Sequence, residues 1–283
     1  MSKADSIVQN AAGWLTLHGL PPLRDRLLTH WTQAGTDLTG MRRWLFDGLS
    51  QNLDREYYAA SASTVRREEL KALCMGADSG VHWAKTYLER GFPDALTSQF
   101  MMFTYLDEQL IEGRIRSVHQ VACCSGREIA YYAKRYPEVD FCGSDVEPQI
   151  VEFLREYWRE VPNLRFEVLP LESTTPQSRA YLEADLVFAS GGLHYMDEYS
   201  LKSFFTLCRE ACNTLLLSQP LHASFDPAFE KRSTPRIQLS WNHPYLRYLT
   251  ETGWAPSHQA EMQPPGQTRF KNLAVEAHAP PGT

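Results

Sequence analysis

Two hydrophobic rhythms divide the chain. In the first 112 residues, apolar side chains recur every three or four positions, as at Leu38, Met41, Leu45 and Leu49, within segments 23–33, 38–51, 64–74, 80–90 and 94–112. That spacing lines one face of a helix. Glycine and proline break the pattern at 19–22, 35–40, 76–80 and 91–93, Asp5 offers a cap for a first helix, and no strand pattern intervenes. Residues 1–112 are therefore predicted to be all-α.

From residue 113 the rhythm changes to short apolar runs separated by amphipathic stretches. Strands are expected at 118–122, at 139–142 with Asp145 closing the second, at 164–169, at 184–190 and at 214–218. Helices are expected at 128–135, 147–158, 201–212 and 241–252. Two late strands, 255–262 and 270–277, flank a Pro264-Pro265-Gly266 turn. Such alternation predicts a mostly parallel, doubly wound α/β sheet that ends in an antiparallel hairpin. The chain thus divides into 1–112, a helical cap, and 113–283, a sheet domain.

The turn after the first strand, Ala122-Cys123-Cys124-Ser125-Gly126, opens a helix whose first N–H groups point above the sheet. A dinucleotide fingerprint would fall on Ala122, Cys124 and Arg127, and arginine is too large where helix and strand pack closely. The frame Ala122, Cys124, Gly126 is small throughout. It resembles the first motif of class I S-adenosylmethionine-dependent methyltransferases, with two glycines replaced and Gln120 where that family usually carries an acid. Asp145 stands 19 residues after Gly126, a separation at which an acid on the second strand meets a ribose. The run from Asp185 through Ser190, Gly191 and Leu193 to His194 and Tyr195 is similar to the family's fourth-strand segment.

The resemblance covers about residues 113–278 and implies a Rossmann-like, seven-stranded fold with S-adenosyl-L-methionine as cofactor. It implies cofactor contacts at Gln120, Ala122, Cys124, Ser125, Gly126, Asp145, Val146, Leu171, Glu172, Ser190 and Gly191. It puts His194 and Tyr195 beside the transferred methyl group, with His194 a base for acceptors that lose a proton. Methyl transfer onto oxygen or nitrogen of a small metabolite is the expected activity. The departures at Gln120, Ala122 and Cys124 leave two alternatives: a catalytically silent binding or scaffold protein, and use of a modified adenosylmethionine.

Other residues add less. Tyr57 and Tyr58 are the lid candidates among the aromatic residues of the cap. Lys231, Arg232 and Arg236 could receive an acidic acceptor, although loop cations are more often solvated surface. A net charge of −6 disfavours nucleic acid. The absence of an 18-residue apolar run or of a signal-like N-terminus leads to the expectation of a cytoplasmic protein without membrane contact. The helical region is the expected surface for a homodimer. Cys208 and Cys212 read as core residues, and no metal set stands out.

Overall fold

A computed structural model describes residues 3–28, 38–60, 69, 70, 73, 79–89, 100–169, 179, 182–236, 239–263 and 270–280. The chain forms two compact units: Met1–Ser79 with Pro235–Ser240, and Gly80–Thr234 with Trp241–Thr283. The division falls at Ser79/Gly80 instead of near residue 112. The reason lies in packing, because the last helix before the sheet contributes Met102, Leu106 and Leu110 to the core of the second unit.

The first unit contains α1 (Lys3–Gly19), α2 (Pro21–Leu28) and α3 (Gly40–Ala59). Asp5 lies inside α1 instead of capping it. Helices α1 and α3 cross with their backbones almost touching: a Cβ on Gly13 would sit 2.2 Å from the Gly48 carbonyl carbon. Gln9 and Asn52 add side-chain hydrogen bonds to the Trp44 and Asn10 carbonyls, both 3.0 Å. Helix α3 runs through Tyr57 and Tyr58.

The second unit contains α4 (Ser79–Glu89, from Gly80 on), α5 (Phe100–Ile111), β1 (Ser117–Val121), α6 (Arg127–Arg135), β2 (Asp140–Asp145), α7 (Pro148–Tyr157) and β3 (Leu164–Val168). It continues through β4 (Leu186–Ser190), a 3-10 turn (Leu193–Tyr195), α8 (Glu198–Ala211), β5 (Thr214–His222), α9 (Tyr245–Glu251), β6 (Ala255–Met262) and β7 (Phe270–His278). These seven strands form one sheet in the order β3-β2-β1-β4-β5-β7-β6. The first five are parallel, and β7 runs antiparallel to both β5 and β6. The expected doubly wound sheet and its hairpin are both present.

Central strands such as β4, Leu-Val-Phe-Ala-Ser, are apolar because both faces are covered. On one face, Leu186, Phe188 and Leu216 pack with Met102, Leu106, Ile129, Tyr132, Val151 and Leu154 from helices α5, α6 and α7. On the other face, Val187, Ala189, Leu215 and Leu217 pack with Phe204, Phe205, Tyr248 and Leu249 from α8 and α9. Cys208 and Cys212 are free, buried members of this second cluster. Among the described residues no helix is long and apolar enough to cross a membrane.

Phe166 on β3 fills the space above two glycines. An added Cβ would meet its ring at 2.7 Å from either Gly143 on β2 or Gly126 at the start of α6. Gly143→Ala should therefore lower unfolding stability by about 1–3 kcal/mol. Phe166→Leu in that background should recover part of the loss, as measured by urea denaturation.

Candidate active site

Strands β1 and β4 are neighbours, but the chain proceeds from β1 towards β2 and from β4 towards β5, so a crevice opens between their C-terminal ends. The turn after β1 forms one wall. Ala122 (φ 52°), Cys124 (φ 48°) and Gly126 (φ 63°) all adopt left-handed backbone. The first two lack glycine yet keep a glycine-like conformation, which costs roughly 1–2 kcal/mol for each side chain.

Hydrogen bonds hold the turn in that shape. The Cys124 N–H donates to Asp145 Oδ2 at 3.0 Å, and the Cys123 N–H to the Ser144 carbonyl at 2.9 Å. The Gly126 N–H closes on the Cys123 carbonyl at 2.8 Å, and the Trp158 indole donates to the Ser125 carbonyl at 3.2 Å. Asp145 also accepts the Glu147 N–H at 3.3 Å. Burial pushes the Asp145 carboxyl above its ordinary value, against the lowering effect of the N–H groups of Cys124, Glu147 and Val146. A carboxylate has about four lone-pair sites, so these bonds leave acceptor capacity for a ligand hydroxyl.

The turn lies in a field of carboxylates. The Cys124 thiol is pushed up first by burial and then by Asp145 and Glu128, with a smaller push from Glu147, while the charge of Arg127 opposes them.

The turn after β4 forms the facing wall. A Cβ added at Gly192 (φ 83°) would stand 2.4 Å from the Ala122 Cβ, whereas one at Gly191 (φ 79°) would meet nothing within 4 Å. The two turns touch at one point and leave room beside it. Gln219 on β5 fixes the end of β4 by donating from Nε2 to the Ala189 and Gly191 carbonyls, both at 3.1 Å. In the 3-10 turn, His194 is buried with its ring centroid 4.1 Å from that of Tyr195, and Tyr195 is 39% exposed. Gln120 Oε1, Ser190 Oγ, Ser218 Oγ and Gln219 Oε1 are buried without a hydrogen-bond partner. Such atoms accommodate the polar groups of a ligand.

The structure thus brings together Gln120, Ala122, Cys124, Ser125, Gly126, Asp145, Ser190, Gly191 and His194. Val146 follows Asp145 and is exposed. Leu171 and Glu172 lie outside the described residues. Tyr57 is buried in the helical unit, and the Tyr58 hydroxyl donates to the Ser240 carbonyl of that same unit. Lys231 and Arg232 are exposed, and Arg236 clusters with the helical unit. His243 is fully buried with Nδ1 2.7 Å from Ser233 Oγ, and burial pulls it down to about 3, which keeps its ring neutral. Sequence reasoning missed Glu128 and Gln219. The visible signals were an acid in the first turn of α6 and a polar residue within the apolar run of β5.

Residues 118–214 match the model of a methyltransferase domain family. They span β1 to the start of β5, both turns included, within the 3-2-1-4-5-7-6 sheet. Over these residues the chain is similar to methyltransferase domains. Similar solved structures include an N-methyltransferase, NodS, from Bradyrhizobium japonicum WM9. It is 13% identical, covers 66% of this chain and 98% of its own, and has a TM-score of 0.48. Another is the 1,6-didemethyltoxoflavin-N1-methyltransferase of Burkholderia thailandensis, solved with S-adenosylhomocysteine, at 17% identity, 71% and 86% coverage and a TM-score of 0.49. At these values neither lends its substrate to this chain. No curated protein matches the sequence.

The contact between the two turns generates a test. Gly192→Ala should cost about 2–4 kcal/mol, since it adds a clash to an unfavourable φ. Ala122→Gly should restore the clash component, so the double variant should be more stable than additivity predicts, as read by a thermal-unfolding double-mutant cycle.

Proposed function

We propose that this methyltransferase moves a methyl group from S-adenosylmethionine to an oxygen or nitrogen atom of a small metabolite. One observation carries the reading: the turn 122–126 keeps its left-handed backbone without its glycines, opposite a Gly191 position with open space. A chain under no demand at this turn has no reason to hold two side chains in a disfavoured conformation.

The cofactor, when bound, supplies an activated methyl group on a sulfonium. The residues present fit it. The unpartnered Gln120 Oε1 suits an N–H donor, the turn offers the main chain of Ala122, Cys124, Ser125 and Gly126, and Asp145 with Val146 stands where a ribose would be read. Leu171 and Glu172 remain the candidates for the adenine edge. Ser190 and Gly191 shape the opposite wall.

The chain's own contribution is to orient the acceptor and exclude water. His194, buried at the tip of β4, is the candidate base for an O–H or N–H acceptor, and Tyr195 presents a partly exposed ring beside it. Lys231 and Arg232, exposed in the segment after β5, are the charges available to an acidic acceptor. Tyr57, Tyr58 and Arg236 are the acceptor candidates of the helical unit, whose exposed Ile7, Val8, Trp14 and Leu15 on α1 offer an apolar strip to a second copy.

Asp145→Asn separates binding from folding. The amide oxygen can still accept the Cys124 N–H, but the amide nitrogen, a donor, then faces the Glu147 N–H that Asp145 Oδ1 accepts. Thermal stability should therefore fall by about 1–3 kcal/mol while the fold is kept. Affinity for S-adenosylhomocysteine in calorimetry should fall about tenfold or more, because ribose hydroxyls lose a charged acceptor. Unchanged affinity would remove Asp145 from the cofactor site.

A further inference from the structure

The polar atoms under the first turn of α6 have an unusual balance. Gln120 on β1 is 1% exposed, and its amide donates from Nε2 to Glu128 Oε2 at 3.2 Å. That bond orients the amide and leaves Gln120 Oε1 buried with no partner. Glu128 is buried too. Its other oxygen, Oε1, faces the Nε of Arg127 at 3.5 Å, the outer limit of a hydrogen bond. Arg127 is also drawn elsewhere: it donates from Nη1 to the Tyr87 carbonyl at 3.0 Å, and its guanidinium lies 5.1 Å from the centre of the Tyr87 ring.

An amide oxygen without a donor therefore stands next to a carboxylate whose one ionic contact among the described residues is long. Both groups accept hydrogen bonds. A ligand carboxylate or phosphate would meet like charge at Glu128 and an acceptor at Gln120 Oε1. A primary ammonium, with three N–H donors and a positive charge, satisfies both. The cofactor reading of this crevice brings one such group, the α-ammonium of its methionine part, to the end of β1.

We propose that Glu128, acting with and through Gln120, is the ammonium-recognising acid of this methyltransferase. The negative charge that β1 lacks at Gln120 is supplied from the first turn of α6, where a carboxylate is also favoured by the helix N-terminus. The Gln120 amide transmits that preference by turning its oxygen, not its nitrogen, towards the ligand. The inference rests on the S-adenosylmethionine reading above and assigns a determinant within that site.

Calorimetry with S-adenosylhomocysteine and with its desamino analogue, in which hydrogen replaces the amine, tests it. Wild type should prefer S-adenosylhomocysteine. Glu128→Gln should weaken S-adenosylhomocysteine about tenfold to a hundredfold, the range of a lost hydrogen bond to a charged group, and leave the desamino analogue unchanged. The exchange Q120E/E128Q, which returns the acid to β1, should recover most of the preference, and it carries the same test if E128Q alone does not fold. Equal losses for both ligands, or an undiminished preference in E128Q, would overturn the assignment while leaving the cofactor reading intact. Binding of neither ligand by wild type would overturn both.

Discussion

The hydrogen bond from the Cys124 main chain to Asp145 is the constraint on which the rest of the site depends. It ties the turn after β1 to the tip of β2 and holds left-handed backbone at a residue that would not choose it. Around that tie, the Cys123 and Gly126 amides and the Trp158 indole close the turn, and Phe166 fills the space above Gly126 and Gly143. The same carboxylate remains an acceptor at the crevice. Closure of the turn therefore leaves that carboxylate with acceptor capacity to spare.

The sheet supplies the second half. Because the strand order reverses between β1 and β4, their C-terminal ends diverge, and the turns that follow them form two facing walls. Gln219 keeps the β4 wall in place from the neighbouring strand, and Gly192 lets it approach Ala122. Apolar side chains on both faces make the scaffold rigid, so the ends of β1 and β4 are held in place.

Most of the α/β architecture was legible as local pattern. The apolar runs at 118–122, 164–169 and 184–190 became β1, β3 and β4 within two residues at each end, because buried parallel strands need near-continuous hydrophobicity. The site was legible where it depends on the backbone: small residues at 122–126, Asp145 and the glycines at 191 and 192. It was not legible where it depends on side chains meeting across the fold. Gln120 looked like the loss of an acid because its contact with Glu128 joins a strand to a helix, and Gln219 gave no hint that it would clasp two carbonyls of β4. The grouping of α5 was not legible for a similar reason: it is as helical as the segments before it, and only its packing against β5 and β7 joins it to the sheet.

The central claim is that both turns bind one ligand, S-adenosylmethionine. Amide hydrogen exchange of the intact protein, with and without saturating S-adenosylmethionine, tests this directly, since binding suppresses local opening of the segments that contact it. The account predicts slowed exchange in residues 121–128 and 190–197 together, with the outer strand β6 unaffected. No slowing in either segment at saturation, or protection confined to other parts of the chain, would contradict it.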